Sequence, residues 1–288
     1  MSLSDDERER AYSPSSCVGG DIEPFLTEYA AASEAARRWC HDAGISVRTI
    51  AYARSPTQSI DIVTPDVDDA PIVVFFHGGY WQELSRRESF SPAPGFLSRG
   101  IAYAAVDYTL APAANLDQIV AECRKALTTI RDEASELNID AERMIVAGSS
   151  AGAHLAAMVA LDPDGGPKPA GMILLSGIYE LAPLIGTTIN EALGLDWATA
   201  ARNSPARLPL DDPPPAVIAY GENETDQFKK QSRLFAQALV ATGSKTVELE
   251  IAGRNHFDLL TDVGPSTSDL GRAINQLIDS TGSADANL

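Results

Sequence analysis

Short blocks of consecutive apolar residues, each closed by glycines or polar turn residues, recur along the chain with stretches of helical period between them. "PIVVFFHGG" (71–79) and "IAYAAVDYTL" (101–110) are near-continuous apolar runs, the pattern of strands buried on both faces of a mainly parallel sheet. "RMIVAGSS" (143–150), "GMILLSGIY" (171–179), "PAVIAYG" (215–221) and "TVELEIAG" (246–253) predict further strands. Ahead of them "SVRTIAY" (46–52) and "SIDIVTP" (59–65), separated by the turn residues "RSPTQ", predict an antiparallel edge.

Between the strands, Ile119, Val120, Cys123, Leu127, Ile130 and Ala134 follow the 3.6-residue period and predict one crossover helix over 116–137. Helices are also expected over 151–161, 226–242 and 266–280, and over 21–39 with Asp21 as N-cap and Pro24 in the first turn. Strands alternating with helices predict an α/β fold: a doubly wound, mainly parallel sheet with right-handed crossovers and helices on both faces. Nothing in the pattern forces a division, so residues 1–288 are expected to form a single domain. Residues 1–40 would be an N-terminal helical extension. The segment 181–214 breaks the alternation and reads as a surface excursion or as a lid over the site.

Composition narrows the function classes. The formal net charge of −18 disfavours nucleic acid and anionic membrane surfaces as partners. Cys17, Cys40 and Cys123 are an odd number without CxxC spacing, which suggests neither a disulfide framework nor a zinc site. The start, "MSLSDDERER", lacks the apolar segment of a secretory signal, and no apolar run approaches the ~18 residues of a membrane span. The expectation is a cytoplasmic protein acting on a small molecule with no cofactor or metal. The oligomeric state is not written in the chain, a homodimer being one option.

The chemistry lies in "VAGSSAGAHL", where Gly148-Ser149-Ser150-Ala151-Gly152 follows a strand and opens a helix. A G-x-S-x-G turn in that setting lifts the Ser150 hydroxyl above the sheet edge as a nucleophile. Ser149 takes the variable, structural place. Two backbone donors should stabilise the oxyanion. One is the amide of Ala151, and the other belongs to "HGGYW" (77–81), where Gly78, Gly79 and Tyr80 offer amides.

Of the four histidines, His41 reads as a surface residue, His77 as a lock on its loop, and His154 as a packed residue on the nucleophile's own helix. His256, in "GRNHFDLL" after the last strand, is left as the base, and the order serine, acid, histidine is that of an α/β-hydrolase. "AYGENETDQFKKQS" (219–232) supplies three candidate acids. Glu224, three residues past Gly221, is preferred; Asp226 suits a helix N-terminus, and Glu222 faces solvent.

With these residues in place, the chain resembles the arylformamidases, or kynurenine formamidases, of the α/β-hydrolase superfamily. The resemblance runs through "YSPSSCVGG" (12–20), "HGGYWQ" (77–82), "SSAGAHL" (149–155), "SGIYEL" (176–181), "DQFKKQS" (226–232) and "NHF" (255–257), with glutamate where the family's triad aspartate is expected. It implies serine-dependent cleavage of an N-formyl arylamine, typically N-formyl-kynurenine, through a formyl-serine intermediate, with Tyr80 or Trp81 as a stacking surface for the aryl ring. Carbamates, other amides and esters remain as alternative substrates for the same triad. A noncatalytic ligand-binding protein on a hydrolase fold is the rival from another class.

Overall fold

The computed structural model describes residues 3–161, 166–264 and 267–282. Eight strands form one sheet: β1 Arg48–Ala51, β2 Ser59–Val63, β3 Ala70–Phe76, β4 Ala102–Val106, β5 Ile139–Ser149, β6 Gly171–Leu175, β7 Ala216–Asn223 and β8 Thr246–Asn255, in the order β1-β2-β4-β3-β5-β6-β7-β8. The pairs β1/β2 and β2/β4 are antiparallel and the remaining pairs parallel, so the antiparallel edge expected from 46–65 is present.

Alternation along the strands divides the core. Ile72, Val74 and Phe76 of β3 face one layer, and Val73 and Phe75 face the other. The first layer holds α4 (Leu116–Asp132), α5 (Ala134–Leu137), α6 (Ala151–Ala160) and α9 (Asp226–Ala241). The second holds α2 (Glu23–Asp42), α3 (Ala93–Leu97) and α10 (Asp269–Thr281). Two-sided burial is what the continuous apolar strands required.

Several boundaries move for local reasons. The single helix expected over 116–137 is two, because Glu133 (φ −95°, ψ 6°) leaves the helical region between α4 and α5. Asp21 is not the N-cap of α2. Ile22 holds that place, and the Asp21 carboxylate accepts the Glu23 amide at 3.0 Å from one residue further out. Helix α10 starts at Asp269, where the Ser268 hydroxyl accepts the Gly271 amide; the expected start at residue 266 lies outside the described residues.

The segment 181–214 contains α7 (Asn190–Leu193), α8 (Trp197–Arg202) and short 3-10 turns at 182–184 and 205–207. Before α2, the chain forms α1 (Asp5–Ala11), capped by a reciprocal Ser4–Glu7 pair, and a 3-10 turn at Pro14–Cys17. No described helix is long and apolar enough to cross a membrane.

Candidate active site

The turn between β5 and α6 is as tight as the glycine pattern demands. A Cβ on Gly148 would lie 2.2 Å from the Gly152 carbonyl group, and one on Gly152 would lie 1.9 Å from the Phe76 carbonyl oxygen. Both glycines are therefore conditions for α6 to sit this close to the sheet. The compression leaves Ser150 at φ 56°, ψ −119°, a region L-residues avoid. Its amide donates to the Leu175 carbonyl at 2.8 Å, which fixes the turn against β6.

Glu224 follows β7 by one residue, and its side chain is fully buried. Its Oε2 lies 3.0 Å from His256 Nδ1. Oε1 accepts the Gly221 amide at 2.5 Å and the Ser176 hydroxyl at 2.6 Å. An ionised carboxylate only accepts, so His256 carries its proton on Nδ1, and Nε2 is the basic nitrogen. Phe228 packs edge-on to the imidazole at 4.7 Å and fixes its plane.

The other two carboxylates are engaged elsewhere. Asp226 is exposed in the first turn of α9, whose N-cap is Thr225, and Glu222 is exposed and accepts the Gly253 amide at 2.8 Å. Of the three, Glu224 alone is placed against the histidine.

Ser150 and His256 line one cavity of about 290 Å³ together with Gly78, Gly79 and Tyr80 of the loop after β3. Gly78 approaches Ser150 so closely that an added Cβ would stand 3.4 Å from Ser150 Cβ. Gly79 (φ 91°), Tyr80 (φ 48°), Trp81 (φ 60°) and Leu84 (φ 68°) all have left-handed backbone, which turns this loop back over the strand ends. Ala151 is the first residue of α6, where helix amides lack intrahelical acceptors.

Tyr80 faces the cavity, with its hydroxyl donated to the Tyr12 carbonyl at 2.5 Å. Burial pushes its phenol pKa well up and keeps that donor protonated. Trp81 does not meet the expectation of a stacking surface: it is 0% exposed and packs edge-on to His154 in the core. The two positive-φ residues point apart, and only the first reaches the cavity.

The remaining histidines are structural or exposed. His154 Nε2 lies 2.7 Å from the Asn203 carbonyl, and His77 Nδ1 lies 2.9 Å from the Gly78 carbonyl. Burial lowers both imidazoles to about 4, so both are neutral near pH 7. His41 is exposed beside Asp42. Among the described residues, no group of three or more His, Cys, Asp and Glu side chains could hold a metal ion.

Sequence reasoning assigned no site role to two regions. Ser176, at φ 49°, presents the hydroxyl that holds Glu224 Oε1, and only its place in "SGIYEL" hinted at this. The N-terminal segment builds a whole wall: Ser13, Pro14, Ile22, Leu26 and Tyr29 line the cavity, facing Thr188 and Ile189 of the insertion. The Ala11 carbonyl accepts the Thr225 hydroxyl at 2.7 Å, and Glu9 accepts the Thr188 amide at 2.9 Å.

The BD-FAE family model matches residues 60–165. The chain is 31% identical to the kynurenine formamidase of Danio rerio over 271 residues, 90% of this chain and 91% of the relative. Among solved structures, one from Silicibacter sp. TM1040 is similar with a TM-score of 0.81 at 26% identity, over 93% of this chain and 99% of that one. The esterase LipW from Mycobacterium marinum is similar in fold, with a TM-score of 0.73 at 20% identity over 95% of this chain and 91% of that one. The fold shared with these structures is that of the α/β-hydrolases.

Proposed function

The chain belongs to the kynurenine formamidase family, a family of hydrolases, and from that premise we propose that it cleaves the amide bond of an N-formyl arylamine, N-formyl-kynurenine foremost, to formate and the free amine. The observation that carries this reading is the buried Glu224–His256 hydrogen bond on the same cavity as the strained Ser150.

Ser150 Oγ attacks the formyl carbon while His256 Nε2 takes its proton, giving a tetrahedral oxyanion and an imidazolium beside Glu224. The amides of Gly79, Tyr80 and Ala151 stabilise the oxyanion, with Gly78 alongside. The C–N bond then breaks, and His256 returns the proton to the departing aniline nitrogen. Water, deprotonated by the same imidazole, attacks the formyl-serine ester and releases formate. The ring of the leaving amine lies against Tyr80, Leu26 and Phe257, which line the cavity.

The close approach of Gly78 to Ser150 favours a small acyl group in this reading. A side-by-side rate comparison on N-formyl-kynurenine, a matched acetanilide, an aryl carbamate and a nitrophenyl ester tests the assignment. The formamide should lead in kcat/KM. Equal rates on formyl and acetyl anilides would point to a general amidase, and a clear lead for the ester would point to a carboxylesterase.

A further inference from the structure

We propose that Asp107 and Tyr108, which touch neither substrate nor triad, are positioning residues that clamp both ends of the oxyanion loop and so set the aim of its amides. The proposal rests on the serine-hydrolase reading above and adds to it the source of the loop's order.

The loop from His77 to Ser89 is under strain that something must hold. Tyr80, Trp81 and Leu84 are non-glycine residues with positive φ, and such backbone persists only where its surroundings over-determine it. Within the loop, the Gly79 carbonyl accepts the amides of Gln82 (2.9 Å) and Glu83 (3.0 Å), which closes its middle. The middle fixes shape, whereas the two ends fix where that shape points.

At the entry, Tyr108 lies flat on His77, with ring centroids 4.1 Å apart and planes 8° from parallel. Its hydroxyl donates to the His77 carbonyl at 2.9 Å, with the Gly78 carbonyl at 3.4 Å. These carbonyls belong to the peptide units that contain the Gly78 and Gly79 nitrogens, so holding their oxygens sets the direction of the N–H bonds. His77 Nδ1 reaches the same Gly78 carbonyl.

At the exit, Asp107 Oδ1 accepts the Arg86 amide at 2.9 Å, and Oδ2 pairs with the Arg86 guanidinium. The guanidinium also pairs with Asp61 of β2 at 3.0 Å, and Arg37 of α2 pairs with Asp61 at 2.8 Å. Two buried carboxylates thus face two arginines, and the charges balance. Asp107 is itself held, since its carbonyl accepts the Tyr52 hydroxyl at 2.7 Å. Two consecutive residues just past β4 therefore grip the loop at both ends, and Tyr108, 1% exposed, cannot meet a ligand.

The test is Tyr108→Phe, which keeps the stack on His77 and removes only the hydroxyl, alongside Arg86→Lys, which keeps the charge but loses the fork that spans Asp61 and Asp107. Each is measured for kcat, KM, melting temperature, affinity for an aryl boronate that forms a tetrahedral adduct with the serine, and affinity for the aniline product. In both variants kcat and boronate affinity should fall in parallel, by about tenfold, while KM and product affinity stay within about twofold. A lower melting temperature with unchanged kcat and boronate affinity would reduce the pair to ordinary packing. A parallel loss of product affinity would mean that the cavity, not the aim of the amides, had changed; either outcome overturns the proposal. The comparison uses whichever acyl substrate the wild-type protein turns over fastest, so a preference for esters would correct the substrate without touching the clamp.

Discussion

Among the described residues two buried histidines stand beside a carboxylate, and the difference between the two pairs separates the proposed base from a brace. His256 Nδ1 is hydrogen-bonded to Glu224 at 3.0 Å, and the carboxylate's other oxygen is held by Gly221 and Ser176. His77 has its Nδ1 on the Gly78 carbonyl, and its Nε2 stands 3.7 Å from Asp107, beyond hydrogen-bonding range, with the carboxylate committed to Arg86. In the first pair the carboxylate organises the imidazole and leaves Nε2 to a cavity. In the second, one imidazole nitrogen orders the loop and the other is buried without a hydrogen-bond partner and does not line the cavity. Proximity of an acid to a histidine does not define a base; the destination of the second nitrogen does.

The largest effect should come from breaking the first pair at its imidazole. His256→Ala and Ser150→Ala should each lower kcat by up to ~10⁶-fold, and the double variant should be little worse, because the two act as a unit. Ser149→Ala should retain most activity in the same assay, and equal losses from the two serine variants would reject the assigned register. Glu224→Gln comes next: it keeps the shape but removes the charge that holds the Nδ1–H tautomer, and kcat should fall by up to ~10⁴-fold. Asp226→Asn should leave kcat unchanged, since Thr225 and not Asp226 caps α9.

The second pair predicts a pH effect on stability. His77 and His154 titrate at about 4 in the folded chain against an ordinary value of 6.5. Between these values the unfolded chain binds protons that the native chain refuses, so stability rises with pH across the window. It is complete above about pH 6.5 and decays as pH falls toward 4, by up to roughly 3 kcal/mol per histidine. Urea melts at pH 4.5 and 7 should show this loss, and His154→Gln should remove about half of it. Smallest of all, Glu222→Gln should cost about 0.5 kcal/mol through a weaker bond to the Gly253 amide, with kcat unchanged.

What could be read from the chain follows from how local each signal is. The inner strands announce themselves because burial on both faces requires unbroken apolar runs, whereas the largely exposed edge strands β1 and β8 show only through shorter or alternating patterns. Ser150 stands out because two close backbone approaches require glycine on either side. Glu224 could be reached by counting from Gly221, since the turn after β7 is short. Trp81 could not be placed this way. Adjacent residues with left-handed backbone send their side chains apart, and no periodicity distinguishes which of Tyr80 and Trp81 enters the cavity. The N-terminal wall was equally hidden, because its contacts are single hydrogen bonds to residues across the fold, such as Ala11 to Thr225 and Tyr12 to Tyr80. Short α3 and the break at Glu133 lie below the length at which a period can be recognised.

Those N-terminal contacts also set an order of assembly. Ala11 precedes its partner Thr225 by 214 residues, and Tyr12 reaches Gln231 across 219. Strands β1 to β6 can pair while translation is still under way, but the cavity has no closed wall until α9 has emerged. Catalytic competence therefore waits on the arrival of α9 and is not a property of strand pairing alone.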